Sequence, residues 1–290
     1  MTGGPAPDPA QEPVTDPAHA WALAAQGRAP LAAGTVRSEV IHAGRPAVRV
    51  RPGTGGRRGT LLHLHGGGYR AGSPRVSEGA ASFLAAELDA EVLLPAYRLA
   101  GERPFPAAVE DATAAYRSLL ESGVDPGRLA VLGDSAGGGL AAAALLAAQD
   151  AGLPRPAALV GLSPWYDLTV TAGSYERCRG TDTVLSRASM RDSAARYLAG
   201  ADPRTPLASP LFAQGAALRG LPPVLVQCGG LEVLADDAGE FARRVDAAGG
   251  RAVHRSWAGQ GHCWHLAVPG LPAAREAVAA TAAFLDVHLV

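Results

Sequence analysis

Apolar residues in this chain gather into short runs and into helical stripes, and the two kinds alternate. Leu129 to Leu132, Ala157 to Leu162 and Val224 to Cys228 are apolar runs bounded by turn-forming or polar residues, a pattern that predicts buried strands. The run from Thr60, Glu91 to Tyr97 and Ala252 to Trp257 predict three more. Val36 to His42 and Ala47 to Arg51, separated by Ala43-Gly44-Arg45-Pro46, read as an antiparallel hairpin. Between the strands lie stretches with helical spacing: Val76 to Leu88, Leu140 to Gln149, Ala235 to Ala248 and Ala273 to Val287. The clearest is Ala107 to Glu121, with Val109, Ala112, Tyr116 and Leu119-Leu120 on one face. Alternation of this kind implies an α/β fold built on a mostly parallel sheet with helices on both faces. No internal repeat interrupts it.

Two segments break the rhythm. Residues 1–16 are rich in Pro, Gly and Asp, a composition expected to be disordered; Asp16-Pro17 then offers the start of a short helix through Trp21 to Gln26. From Trp165 to Pro210 the periodicity fades, leaving one clear helix near Ala188 to Leu198. The expected organisation is a tail and cap segment over residues 1–34, then one domain over 35–290 carrying an insertion at about 166–208.

Composition narrows the partners. A chain of 290 residues, 48% hydrophobic and 18% charged, with a formal net charge of −1, has no electrostatic reason to seek nucleic acid or an anionic membrane. The 3 cysteines, Cys178, Cys228 and Cys263, form no disulfide framework and no Cys-x-x-Cys pair, which fits a reducing cytoplasm. The N-terminus lacks a basic region followed by an apolar run, so no signal peptide is expected. The longest apolar run, Leu140 to Ala148, is too short to span a bilayer.

The chemistry concentrates in two glycine-rich turns. Gly133-Asp134-Ser135-Ala136-Gly137 follows an apolar strand and precedes a helix, which is the setting of a nucleophile elbow. Such a turn forces a strained backbone on the serine and sets its hydroxyl clear of the main chain, at a helix N-terminus that favours negative charge. In a chain with 36 glycines that pentapeptide alone is a weak signal. His65-Gly66-Gly67-Gly68, at the end of the Thr60 strand, strengthens it, because consecutive glycines leave N–H groups free for an oxyanion. A serine nucleophile needs a base, and four histidines follow the elbow. His254 lies mid-strand and His288 in the last helix. His262, in the glycine-rich loop after the last strand, and His265 remain as candidates. A metal hydrolase using His63, His65, His262 and His265 lacks a carboxylate at ligand spacing, and Cys263 lacks an elbow of its own.

Taken together, His65–Gly68 and Gly133–Gly138 resemble the HGGG and GDSAGG motifs of the hormone-sensitive-lipase family of α/β-hydrolases. Tyr97-Arg98-Leu99, Pro104 to Ala108, Leu162 to Trp165, Ser209-Pro210 and Leu221 to Pro223 match further, and the resemblance covers about residues 35–290. It departs at Ala100-Gly101-Glu102-Arg103, where the family usually carries a proline.

The resemblance implies an eight-stranded, mostly parallel sheet with a small helical cap placed after the sixth strand. It implies a serine carboxylesterase acting on a small-molecule ester, preferring short acyl chains, with no cofactor and no metal. Ser135 would be the nucleophile and His262 the base. Gly67, Gly68 and Ala136 would bind the oxyanion. His65 is expected to orient its loop and Asp134 to brace the elbow. Where the family usually has an aspartate as the acid, alignment on Leu234 puts Glu232, with Asp236 and Asp237 as alternatives expected instead to cap the following helix. The motifs do not separate an esterase from an amidase or deacetylase, or from a non-catalytic binding member of the fold. A homodimer is left open.

Overall fold

A computed structural model describes residues 29–290; the helix expected at Trp21 to Gln26 lies outside them. One sheet of eight strands forms the frame, in the order β1-β2-β4-β3-β5-β6-β7-β8. The strands are β1 (Thr35–His42), β2 (Arg45–Pro52), β3 (Thr60–Leu64), β4 (Glu91–Pro95), β5 (Leu129–Asp134), β6 (Ala158–Leu162), β7 (Val224–Gly229) and β8 (Ala252–Trp257). The expected hairpin forms and pairs antiparallel onto β4; every pairing from β4 to β8 is parallel. The central strands β3, β5, β6 and β7 are buried from both sides, which is why they read as continuous apolar runs instead of alternating.

Two layers of helix cover the sheet. On one face α1 (Arg75–Leu88) and α8 (Pro272–Asp286) bury Ala81, Leu84, Ala282 and Leu285 against β3, β5 and β6. On the other lie α2 (Ala107–Glu121), α3 (Ala136–Asp150) and α7 (Ala235–Ala247), whose Tyr116, Leu140 and Phe241 belong to the largest core cluster. His288, expected in the last helix, stands just beyond the end of α8.

Between β6 and β7 the chain leaves the frame, as the fading periodicity predicts. This excursion carries α4 (Ser174–Arg177), α5 (Arg187–Leu198) and α6 (Gly215–Arg219). The sequence defines α5 well: Ser186 and Ser189 form a reciprocal capping box, and Met190, Ser193, Ala194, Tyr197 and Leu198 recur at helical spacing on its buried side. Tyr197 stacks on Tyr69 with ring centroids 3.8 Å apart, fastening α5 over the loop that follows β3. The C-terminal ends of β3, β5, β6, β7 and β8 therefore open toward one edge, where parallel α/β sheets bind ligands.

Candidate active site

The elbow forms where β5 turns into α3. Ser135 has φ 55° and ψ −123°, a strained backbone for a residue with a side chain. Main-chain bonds hold it there: the Ser135 amide donates to Leu162 O at 2.9 Å, and the Trp165 amide donates to Ser135 O at 2.9 Å. A Cβ on Gly137 would collide with the carbonyl oxygen of Leu64, so only glycine lets the start of α3 close on the end of β3.

Asp134 braces this corner, as expected. It accepts from His63 Nε2 at 3.0 Å, from Ser77 Oγ at 2.6 Å and from the Gly66 amide at 2.8 Å. Burial alone would raise the Asp134 carboxyl, yet the His63 hydrogen bond and the neighbouring donors hold it down at about 2. One carboxylate thus ties the elbow to the HGGG turn. His65 orients that turn from the other side: its Nδ1 donates to Gly66 O at 2.7 Å and its ring stacks on Tyr97, whose hydroxyl donates to His65 O at 2.7 Å. Burial pushes His65 down to about 4, so it is neutral at pH 7.

Gly67 has φ 124° and Gly68 φ 61°. The Gly67 carbonyl is taken up by the Arg70 and Ala71 amides, both at 3.1 Å. Among the described residues, the Gly67 and Gly68 amides donate to no protein acceptor. The Ala136 amide, first in α3, is likewise free of the helical ladder.

Beyond β7 the chain turns at Gly229 and presents Glu232. Its Oε1 accepts from the Gly229 amide at 2.7 Å, and its Oε2 accepts from His262 Nδ1 at 2.7 Å. On the far side of the ring, His262 Nε2 accepts from Ser135 Oγ at 2.9 Å. The structure therefore joins Ser135, His262 and Glu232 in one line. Complete burial raises the Glu232 carboxyl, opposed by the His262 and Gly229 bonds. For His262, burial favours the neutral ring, but the Glu232 hydrogen bond and the charges of Glu232, Asp182 and Asp134 outweigh it and raise the imidazole above its usual value.

The rival groups go elsewhere. His265 is buried beside His63, is pushed down to about 4 by burial and lines a small void with Thr281 instead of facing Ser135. His254 meets Cys228 Sγ at 3.2 Å. Cys263 follows His262 with its Sγ 3.4 Å from the ring's Nε2, but burial pushes its thiol well up, so it stays protonated.

Ser135 is buried, retaining 5% of its surface where the excursion after β6 comes over it. Two expectations need correction. Asp236 does not cap its own helix. It accepts from the Ser174 amide at 2.7 Å and from Arg177 Nη2 at 2.6 Å, so it caps α4 instead. Asp237 caps nothing. It is buried, among the described residues neither carboxylate oxygen has a hydrogen-bond partner, and burial followed by the charges of Asp167, Asp236 and Glu232 holds its carboxyl well above the usual range. The departure at Ala100 is accommodated by Glu102, which accepts from the Leu99 amide at 2.9 Å.

A cavity of about 220 Å³ opens over Ser135 and His262. Gly67 and Gly68 form one wall, and Val184, Leu185, Met190 and Ser193 from the excursion form the other. Val184 and Leu185 come from the aperiodic part of the excursion and carry no sequence signal; the helical spacing of α5 marks Met190 and Ser193 as buried, but nothing in it marks them as lining this cavity. A larger hollow of about 430 Å³, against β1, β2 and the start of α1, contains none of the groups described above.

Fold and site together define an α/β-hydrolase. Residues 61–266 match the family model described as an alpha/beta hydrolase fold. An acetyl-hydrolase from Streptomyces hygroscopicus is 49% identical over 226 residues, covering 78% of this chain and 75% of the relative. An esterase from Acinetobacter venetianus is 30% identical over 256 residues, covering 88% and 80%. The crystal structure of an esterase from the bacterial hormone-sensitive lipase family superposes with a TM-score of 0.88 at 42% identity, covering 93% of this chain and 91% of the other. The chain belongs to the hormone-sensitive-lipase family of α/β-hydrolases and is a carboxylic ester hydrolase.

Proposed function

We propose that this hydrolase cleaves short-chain carboxylic esters, acetyl esters foremost, with Ser135 as nucleophile, His262 as general base and Glu232 as the acid that orients it. The observation that carries the reading is the unbroken line from Ser135 Oγ to His262 Nε2 at 2.9 Å and from His262 Nδ1 to Glu232 at 2.7 Å. His262 takes the Ser135 proton as Oγ attacks the acyl carbon, and Glu232 stabilises the imidazolium that forms. The tetrahedral oxyanion is received by the amides of Gly67, Gly68 and Ala136. His262 then protonates the leaving alkoxide. Water repeats the sequence on the acyl-enzyme and frees the acid.

The acyl preference rests on two supports. The Streptomyces relative is an acetyl-hydrolase. The cavity, about 220 Å³, is smaller than the ~300–1,000 Å³ usual for drug-sized ligands. In this reading the segment 166–208 acts as a cap whose Val184, Leu185 and Met190 end the acyl pocket. The free, buried state of Cys178, Cys228 and Cys263 supports a cytoplasmic setting. Among the described residues no helix is long and apolar enough to cross a membrane.

A second reading is N-deacetylation, because the name acetyl-hydrolase gives the acyl group released and not the atom it leaves. A fluorophosphonate label mapped to Ser135, followed by nitrophenyl esters of increasing chain length and by nitroacetanilide, tests both. Labelling at Ser135 with highest kcat/KM on acetyl or butyryl esters is expected. An unlabelled Ser135, or a preference for long chains, refutes the proposal.

A further inference from the structure

The loop that carries Glu232 is not held by the sheet alone. On one side the Leu231 amide donates to Gln260 O at 3.0 Å, which ties it to the loop of His262. On the other side the excursion grips the residues flanking Glu232. Thr181 Oγ1 donates to Leu231 O at 3.1 Å, and Ser174 Oγ donates to Val233 O at 2.6 Å. The third grip is Asp182, whose Oδ2 accepts from the Val233 amide at 2.9 Å.

Asp182 has a second attachment. Its Oδ1 accepts from the amides of Val184 at 2.9 Å and Leu185 at 2.8 Å, folding the turn that aims both side chains into the cavity over Ser135. The residue is 9% exposed. Among the described residues no arginine or histidine pairs with it; its acceptors are filled by main-chain N–H groups alone. A buried carboxylate held this way has a fixed place and an uncompensated charge.

Resting on the triad and acyl-pocket reading above, we propose that Asp182 is a positioning residue that joins the wall of the acyl pocket to the loop of the triad acid. One side chain then sets both where the acyl group sits and how Glu232 meets His262. Its charge adds to this, since it lies close enough to favour the imidazolium form of His262. Among the described residues the other charges acting on that ring are Glu232 and, more weakly than Asp182, Asp134; the Cys263 thiol is protonated and His265 is neutral.

Asp182→Asn separates the two attachments. Its amide oxygen still receives Val184 and Leu185, but its NH2 now opposes the Val233 amide, donor against donor. With kcat normalised to fluorophosphonate-titrated sites, the expected result is a loss of about 10- to 100-fold in kcat with KM for nitrophenyl acetate within about threefold, the scale of an ångström-sized misplacement. The acid limb of the kcat/KM profile should also move to lower pH, because a negative charge near His262 is gone. Asp182→Ala frees the pocket turn as well, and the ratio of acetyl to hexanoyl ester rates should fall. Unchanged kcat, pH limb and chain selectivity in Asp182→Asn overturn the proposal. So does a lowered melting temperature with kcat per titrated site unaffected. If Asp182→Asn is recovered unfolded, Thr181→Val reads the adjacent grip on Leu231 with the charge kept: about a 3- to 10-fold loss in kcat and no shift of the acid limb are expected, and wild-type kcat overturns it. Ser135→Ala in parallel keeps the two readings apart: residual activity there refutes the triad on which the proposal rests, whereas an inactive Ser135→Ala beside an unaffected Asp182→Asn refutes the role of Asp182 alone.

Discussion

Glu232→Gln is the sharpest test of the triad, because the structure dictates how the amide must sit. Glutamine fills the same volume, so the loop after β7 should keep its shape. The carboxylate it replaces serves two donors, the Gly229 amide on Oε1 and His262 Nδ1 on Oε2, both at 2.7 Å. Glutamine has one acceptor. If its oxygen stays with Gly229, its NH2 faces Nδ1 and drives the imidazole proton to Nε2, where it blocks removal of the Ser135 proton. If it turns to serve Nδ1, the buried Gly229 amide loses its acceptor, at about 1–3 kcal/mol. In either pose the imidazolium loses a charged neighbour for a neutral one, a further ~1–2 kcal/mol. The sum of about 2–5 kcal/mol corresponds to roughly a 30- to 5,000-fold loss in kcat. The assay is release of nitrophenol from nitrophenyl acetate, per fluorophosphonate-titrated site, beside a thermal melt. Asp236→Asn is the control, since Asp236 pairs with Arg177 at a partly exposed site and should keep kcat within about threefold. A Glu232→Gln enzyme within tenfold of wild type, or an inactive Asp236→Asn, refutes the assignment.

Ser135→Ala should remove turnover by about 10⁴-fold or more while the protein still folds, because among the described residues its hydroxyl bonds only His262; more than a few per cent of wild-type kcat contradicts it. Emulsified long-chain esters should be poor substrates without interfacial activation, since the cavity of about 220 Å³ ends at Val184, Leu185 and Met190, and activation on such an emulsion contradicts this. Stability should respond to pH through Asp237. Burial holds its carboxyl well above its unfolded value, so its contribution is complete below about 3.9 and is lost as pH rises through the folded value. Asp237→Asn removes that dependence, and its melting temperature should gain on wild type as pH rises above about 4; a constant or shrinking difference contradicts this.

What was legible in the sequence was what the main chain demands. The elbow and the HGGG turn announce themselves because only glycine fits at Gly137 and Gly67, and β5, β6 and β7 because strands buried on both faces must be apolar throughout. Glu232 was legible only through the family resemblance, since three carboxylates lie within a few residues and nothing local separates them. The burial of Asp237 and the exchange of Asp236 onto α4 depend on Ser174, Arg177 and Asp167, far upstream in a segment without periodicity. The same segment hides Ser135 from solvent. Asp182 leaves no trace at all, because its partners are backbone amides, which every residue but proline possesses.

The corner that holds Ser135 is built from main chain, with Leu162 and Trp165 bonding its backbone and Leu64 pressing on Gly137. The far wall of the cavity, which the proposed function gives to the acyl group, is built from side chains at Val184, Leu185, Met190 and Ser193, on a different part of the polypeptide. Reactivity and diet are thus inherited separately. Drift at those four positions can change what is hydrolysed while the machinery that hydrolyses it stays fixed, provided Asp182 remains to anchor the turn beneath them. A library randomised there should yield many active variants of altered preference, whereas one randomised at the glycines of the elbow should yield almost none.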